Sequence, residues 1–173
     1  MGALLSPLLL AETATRVATA SAIVYSAEGA TPPELIGQWL AGLDVPILTV
    51  ADPDTLMSVA LRSRPRVVVF DARHGSPAIL SALRRLKSDS YTGIVPAVAV
   101  TADTAAGFEA GFEAGADEVL REGLSASEVE IRLAALLRRS DRDLYVHPST
   151  RLPGAVEIEG DIARRGRVRA RGS

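Results

Sequence analysis

The chain has 173 residues, 47% of them hydrophobic, enough to bury one compact domain with an appendage, whereas two full domains would be cramped. It has no cysteine, which excludes a disulfide framework, a thiolate metal site and a cysteine nucleophile. The net charge is −2, but five arginines lie within the last ten positions, so residues 1–163 carry 14 basic against 21 acidic groups; a body this acidic argues against a nucleic-acid surface on the domain itself.

The N-terminal region begins with the apolar stretch MGALLSPLLLA. This stretch resembles the hydrophobic part of a signal peptide, but no Lys or Arg precedes it and Pro7 interrupts it. We therefore predict an N-terminal helical extension over residues 1–19, with Ser6 as its cap. No stretch approaches the roughly 20 apolar residues of a membrane span. We expect a cytoplasmic protein that does not bind a membrane.

After residue 19, apolar β-type segments alternate five times with helical patterns. This alternation predicts a parallel sheet with helices on both faces, which is a doubly wound α/β fold. The predicted strands are ASAIVYS (20–26), VPILTV (45–50), RVVVFDA (66–72), IVPAVAVT (94–101) and DEVLR (117–121). The predicted helices span residues 32–42, 53–63, 77–87, 104–115 and 126–139.

Capping signals support these helices. The first has Thr31 as its predicted cap, Pro32 in the first turn and Glu34 three residues after the cap. The other predicted helix starts are Asp52–Pro53, Ser76–Pro77 and the capping sequence Ser125–Glu128.

The pattern changes after Arg139. Residues 141–173 comprise a polar connector that contains prolines, a short and weakly amphipathic helix, and a basic tail with too little apolar content to fold alone. We expect everything after about residue 153 to be loosely attached to the domain.

Residues 20–140 resemble the receiver domain of bacterial two-component response regulators. The resemblance rests on VVVFDA in the third strand, VAVTA in the fourth, and EAGADEVL leading into the fifth. It implies a flavodoxin-like five-stranded parallel sheet in the order 2-1-3-4-5, with the site at the carboxyl ends of the strands. In that family, a histidine kinase donates a phosphoryl group to the aspartate that ends the third strand.

Each part of the receiver site has a physical role. Two acidic residues after the first strand and the acceptor aspartate hold Mg²⁺, which offsets the charge of the incoming phosphoryl group. A lysine after the fifth strand balances that charge, and a Thr or Ser ending the fourth strand hydrogen-bonds to the phosphoryl group. In this sequence, Asp71 matches the acceptor position and Thr101 matches the hydroxyl position.

The remaining site positions do not match the family. Ser26 and Ala27 occupy the positions of the acidic pair, and Glu28 comes one residue late. Glu122 stands where the family has its lysine. Arg121 could take the lysine's role only if the fifth strand slipped by one residue, which would turn the side chain to the other face.

These differences predict a degenerate site. Mg²⁺ demands nearly octahedral oxygen ligation, and one carboxylate with a serine hydroxyl is a poor substitute for three carboxylates. A carboxylate at Glu122 near Asp71 would bring like charges together and disfavour a reactive acceptor. The aromatic position of the family's conformational relay corresponds to Val119. We therefore expect a pseudo-receiver without a cofactor. The chain would bind Mg²⁺ only if it were a true receiver.

Three polar side chains in this region also have possible roles that are purely structural. Asp71 can cap the loop that follows its strand through backbone hydrogen bonds. Thr101 can cap the next helix, with Asp103 as a competitor for that role. His74 lies on a short polar loop without a second histidine nearby, so we expect it to be solvated and not a metal ligand.

Two phenylalanines, Phe108 and Phe112, are four residues apart and suit a core stripe better than a binding face. Together with Val129 and Leu133, however, they supply more apolar surface than one sheet face need bury. This predicts a weak homodimer through the fourth helix, fifth strand and fifth helix, the surface through which receivers commonly associate.

A second resemblance lies near the C-terminus. The stretch HPSTRLPGAVEIEGDIARR is similar to a degraded opening of diguanylate cyclase (GGDEF) domains, with His147, Thr150, Leu152 and Pro153 in register but Gly154 in place of asparagine. The catalytic motifs of such a domain would lie beyond residue 173. We therefore expect this stretch to be the stub of an output domain, unable to make cyclic di-GMP.

The sequence thus favours a signalling module that is not an enzyme and that binds a protein partner, such as a histidine kinase or an output domain. One alternative is a true receiver that is phosphorylated on Asp71. Another is a flavodoxin-like small-molecule binder that uses the crevice at the strand ends, although the chain lacks a glycine-rich phosphate loop.

Overall fold

The computed structural model describes residues 22–27, 30–43 and 45–145. Strands and helices alternate throughout this part of the chain. The strands are β1 (Ala22–Tyr25), β2 (Ile47–Val50), β3 (Val67–Ala72), β4 (Ala97–Thr101) and β5 (Glu118–Arg121). The helices are α1 (Glu34–Gly42), α2 (Pro53–Ser63), α3 (Pro77–Ser88), α4 (Ala105–Glu113) and α5 (Ala126–Tyr145).

Several predicted features lie outside the described residues. They are the N-terminal helix at 1–19, Glu28, the short C-terminal helix, the basic tail and the GGDEF-like stretch.

The five strands form one parallel sheet in the order β2-β1-β3-β4-β5, which confirms the predicted fold class. The central strand β3 is buried along its whole length, because helices cover both faces of the sheet. Its residues are mostly β-branched or aromatic, as expected of a parallel strand without a solvent face. The strand order reverses between β1 and β3, so their carboxyl ends form the switch point where ligands bind in such sheets.

Alternate residues of β3 enter two separate cores. Val68 and Phe70 pack with α2, α3 and α4, whereas Val67 and Val69 lie on the face that α1 and α5 cover. This alternation follows from the two-residue period of a strand. It also determines which face each functional side chain occupies at the strand ends.

Two of the predicted helix caps are present. The Asp52 side chain accepts a hydrogen bond from the Thr55 backbone N–H at 2.7 Å at the start of α2. The Ser125 hydroxyl oxygen accepts one from the Glu128 N–H at 3.2 Å at the start of α5. Ser76 precedes α3 as predicted but makes no capping hydrogen bond.

The predicted start of the first helix is wrong. Helix α1 begins at Glu34, its N-cap residue is Pro33, and no side chain caps it. Pro33 is responsible, because a proline disfavours helical backbone angles in the residue before it. Pro32 therefore cannot be helical, and Thr31 is too far from the first turn to cap it.

Two other boundaries differ from prediction by three or more residues. Strand β4 begins at Ala97 rather than residue 94, because Pro96 has no N–H to donate to a ladder and Ile94 lies in an exposed loop. Helix α5 runs to Tyr145, past its predicted end at Arg139. No Gly or Pro interrupts this polar extension, and Asp141 lies 3.4 Å from Arg66.

The predicted apolar dimer face is only partly exposed. Val129 and Leu133 lie on the face of α5 that is buried in the core of the domain, so they cannot contribute to an interface, and the homodimer remains a prediction. Phe108 packs against the core, whereas Phe112 is 44% exposed and does not belong to a core stripe. None of the helices in the described residues combines the length and apolar character needed to span a bilayer.

Candidate functional site at the carboxyl ends of the strands

The candidate site lies where β1, β3, β4 and β5 end at one edge of the sheet. Asp71 is the next-to-last residue of β3, and its side chain is only 1% exposed. Ser26 directly follows β1, and Thr101 and Arg121 are paired at the ends of β4 and β5. The fold thus brings the predicted positions to the same edge.

Arg73 donates hydrogen bonds to both oxygens of the Asp71 carboxylate. Its Nε donates to Oδ1 at 2.8 Å and its Nη2 donates to Oδ2 at 2.9 Å. Such a bidentate pair is stronger and more directional than a single hydrogen bond. The Arg73 backbone N–H also points to Oδ1, at 3.4 Å, so Asp71 does organise the start of its own loop.

The loop after β3 explains how Arg73 folds back. The Gly75 N–H donates to the Ala72 carbonyl at 3.0 Å, which closes a tight turn. Gly75 adopts a φ of +66°, a left-handed conformation that glycine accepts without strain. His74 sits in this turn and is exposed, as expected for a solvated side chain.

The same guanidinium also reaches two other segments. Its Nη2 donates to the Thr31 carbonyl oxygen before α1, at 3.1 Å, and its Nη1 lies 3.7 Å from the Glu122 carboxylate after β5. The hydrogen bond to Asp71 raises the pKa of Arg73, with partial burial opposing it and both carboxylates adding to it. Arg73 therefore remains a fixed cation at this site.

This geometry changes one expectation from the sequence. The sequence predicts that Glu122 brings a bare like charge toward Asp71, but the Arg73 guanidinium pairs with both carboxylates. Arg73 is not among the residues predicted from the sequence. The available signal is its position two residues after a buried aspartate, where a basic side chain can fold back onto the acid.

Arg121 belongs to a different part of the edge. Its guanidinium pairs with Asp103 at 3.1 Å and lies 5.8 Å from the centroid of the Phe108 ring. Strand β5 ends at Arg121 in register with Thr101. These contacts direct the side chain toward α4 and its preceding loop, and none of them involves Asp71.

Two buried hydroxyl groups of the site have no partner among the described residues. Ser26 and Thr101 are each 1% exposed, and neither side-chain oxygen forms a hydrogen bond there. Strand alternation places Ser26 and Asp71 toward α1 and α5, with Val24 and Val69, but places Thr101 toward α4, with Ala99.

The helix cap proposed for Thr101 or Asp103 is instead supplied by a third residue. The Thr104 hydroxyl oxygen accepts from the Gly107 N–H at 3.1 Å at the start of α4. Val119, at the position of the aromatic relay residue in receiver domains, is buried against α4. A Cβ on Gly111 of α4 would lie only 2.9 Å from Val119 Cγ2.

The donor set does not fit a resident Mg²⁺ ion. Both oxygens of Asp71 already accept from a cation, Ser26 offers a neutral hydroxyl and Ala27 offers no side-chain ligand. In the part of the chain that the structure describes, no group of three acidic or histidine side chains could hold a metal. Mg²⁺ would have to displace a guanidinium that is held by two hydrogen bonds.

No protein-family model and no curated protein sequence matches this chain. Solved structures do match. A putative response regulator from Chloroflexus aurantiacus aligns with a TM-score of 0.58 at 21% identity, over 69% of this chain and 99% of that chain. The receiver domain of a putative Luxo repressor protein from Vibrio parahaemolyticus aligns with a TM-score of 0.56 at 14% identity, over 72% and 95%.

A further match is the receiver domain of a sensor histidine kinase from Pseudomonas aeruginosa, solved with magnesium coordinated in its active-site cleft. It aligns with a TM-score of 0.55 at 23% identity, over 69% of this chain and 98% of that chain. At such identities a structural match establishes the fold. The described part of this chain therefore has the fold of response regulator receiver domains.

Proposed function

We propose that this chain is a non-catalytic pseudo-receiver that acts in bacterial two-component signalling, in the cytoplasm, by binding a protein partner such as a histidine kinase or an output domain. The receiver fold supports the signalling role. The observation that carries the pseudo-receiver assignment is the engagement of both Asp71 oxygens by Arg73.

Phosphorylation of Asp71 would require one carboxylate oxygen to attack a phosphoryl donor while a metal neutralises the charge. Here the carboxylate is 1% exposed, and its counter-ion is a guanidinium from the same loop. Ser26 and Ala27 provide no carboxylate to assemble a metal beside it. The site is thus neutralised from within the protein rather than by a metal.

The crevice at the strand ends gives little support to the alternative function, a flavodoxin-like small-molecule binder. The cavity beside Arg73 and Glu122 has a volume of about 180 Å³, below the roughly 300–1,000 Å³ that is usual for ligand pockets. Two of its charged side chains, Arg73 and Glu122, already pair with each other.

The assignment can be tested by treating the full chain with acetyl phosphate, or with beryllofluoride, in the presence of Mg²⁺. We expect no acid-labile phosphate by intact-mass spectrometry and no change in Trp39 fluorescence. Trp39 suits this purpose because it is the single tryptophan and packs against the core on the Asp71 side of the sheet.

The matched control is Asp71→Ala under the same conditions. Stoichiometric, Mg²⁺-dependent modification of the wild-type chain that Asp71→Ala abolishes would refute the pseudo-receiver assignment and support the true-receiver alternative. Modification to the same extent in the wild-type chain and in Asp71→Ala would lie elsewhere on the chain and would support the pseudo-receiver assignment.

A further inference from the structure

The loop between α3 and β4 displays two large apolar side chains to solvent. Tyr91 is 74% exposed and Ile94 is 70% exposed, the highest values among the large hydrophobic residues that the structure describes. Only two residues separate them in the sequence. A single short loop therefore carries both, and we refer to residues 89–96 as the apolar loop.

The apolar loop is held by its own polar groups. The Asp89 carboxylate accepts from the backbone N–H groups of Tyr91 and Thr92 at 2.9 and 3.0 Å. The buried Thr92 hydroxyl donates to the Leu86 carbonyl oxygen at 2.8 Å. These bonds attach the first half of the loop to the end of α3.

Lys87 attaches the second half. Its ammonium group donates to the carbonyl oxygens of Gly93 and Val95 and pairs with Asp117 at 2.9 Å. Asp117 in turn accepts from the Ala97 N–H at 2.8 Å, at the start of β4. The loop is thus bonded at both ends, so ordering it on binding would cost little.

The apolar loop lies at the amino end of the sheet, opposite Asp71. It leads into β4, and β1 begins at the same edge with Ala22. Only β3 separates β1 from β4 in the sheet, so their starts are about 10 Å apart. The start of β1 at Ala22 therefore lies at the same edge of the sheet as the apolar loop.

That preceding chain contains an uncharged apolar stretch, ALLSPLLL, at residues 3–10. Residues 11–21 connect it to β1 and can span at most about 40 Å, more than enough to reach the apolar loop. We propose that residues 3–10 pack against Tyr91 and Ile94 of the same chain and shield them from water. This contact is independent of the Asp71 site and of the proposed signalling role.

The absence of cysteine from the chain permits a direct test by disulfide cross-linking. Leu9→Cys is combined with Ile94→Cys in the full chain. The control pair combines Leu9→Cys with Ile131→Cys. Ile131 is a matched control because it is also an isoleucine and is 64% exposed, but it lies near the start of α5, at the other end of the sheet.

Under mild oxidation, we expect the disulfide of the Leu9→Cys, Ile94→Cys variant to form within one chain at least about tenfold faster than the control bond, owing to its higher effective concentration. Non-reducing electrophoresis and intact mass follow the reaction. Equal rates for the two variants would overturn the proposal. A disulfide-linked dimer of the Leu9→Cys, Ile94→Cys variant would also overturn it and identify a second copy as the occupant.

A second measurement does not depend on disulfide geometry. An environment-sensitive dye is attached to Ile94→Cys in the full chain, and Leu8→Asp and Leu9→Asp are then introduced. We expect a red shift and weaker dye emission in the charged variant, because the apolar cover is lost. Emission that is identical with and without the two aspartates would contradict the proposal.

Discussion

Asp71 and Arg73 are separated by one residue, yet each carboxylate oxygen accepts from a different guanidinium nitrogen, at 2.8 and 2.9 Å. The tight turn closed by Gly75 allows this pairing within one loop. The carboxylate at the position that matches the phosphoryl acceptor of receiver domains is therefore hydrogen-bonded on both oxygens to a cation from its own loop.

Removing the cation should be costly. Arg73→Ala leaves the buried Asp71 carboxylate without its counter-ion, and we expect the free energy of unfolding to fall by about 3 kcal/mol. Urea denaturation followed by circular dichroism measures the change. Arg66→Ala is the control, since Arg66 and Asp141 are both about half exposed, and it should change stability by about 0.5 kcal/mol or less.

The double variant Asp71→Ala with Arg73→Ala distinguishes the contribution of the ion pair to stability from that of side-chain packing. Because it leaves no unpaired buried charge, we expect it to be more stable than Arg73→Ala alone. Additive losses from the two single variants would show that the two groups are not coupled.

Gly111 and Gly37 should respond oppositely to alanine. A Cβ on Gly111 would lie 2.9 Å from Val119 Cγ2, whereas one on Gly37 meets no atom within 4 Å. Gly111→Ala should cost about 1–3 kcal/mol by overpacking α4 against β5. Gly37→Ala should stabilise α1 by about 0.5–1 kcal/mol. Thermal unfolding of both variants checks the contrast; equal effects would contradict the packing of α4.

Two aspartates should make stability sensitive to acid. The Thr55 backbone N–H lowers the pKa of Asp52, and the Thr92 and Tyr91 N–H groups lower the pKa of Asp89. A pKa that is lower in the folded state gives stability that is present above the unfolded value near about 4 and is lost as pH falls through the folded pKa. We therefore expect Tm to fall below about pH 4.

Asp52→Asn and Asp89→Asn provide the test. Each amide keeps an acceptor oxygen but carries no charge, so each variant should have a lower Tm than the wild type at neutral pH, and the difference should shrink as the pH falls below about 4. A difference in Tm that stays constant from about pH 7 to about pH 3 would show that these carboxylates are not responsible.

The segment after α5 should contribute little to stability. Residues 146–173 lie outside the described part of the chain, and their sequence offers few apolar residues and five arginines in the last ten positions. A chain ending at Tyr145 should therefore melt within about 2 °C of the full chain. A loss of several degrees, or strong amide protection across Val156–Ile162, would show that the segment packs on the domain.

The fold could be predicted because its signals are local and repeated. Each strand is a short apolar run with a helix pattern after it, and caps such as Asp52 and Ser125 mark two helix starts independently. The errors occur where Pro33 overrides a capping pattern before α1, and before β4, where Pro96 cannot donate to the ladder and Lys87 holds the preceding loop. Both outcomes depend on backbone geometry and long-range contacts that residue patterns do not carry.

The site was harder to predict because Arg73 contacts residues that are distant in the sequence. Thr31 and Glu122 lie 42 and 49 positions away along the chain, and only the folded sheet brings them to the same guanidinium. The resemblance to receiver domains could identify Asp71 and the missing acidic pair. It could not show which side chain would neutralise the carboxylate.

Arg73 also joins three segments, namely the end of β3, the approach to α1 and the residue after β5. Breaking this junction would leave the buried Asp71 carboxylate without its counter-ion, so arrangements that lack it are disfavoured. A domain that is held in one conformation is poorly suited to signalling through a conformational change. Under the proposed signalling role, the output would follow the abundance of the chain, through mass action on a protein partner.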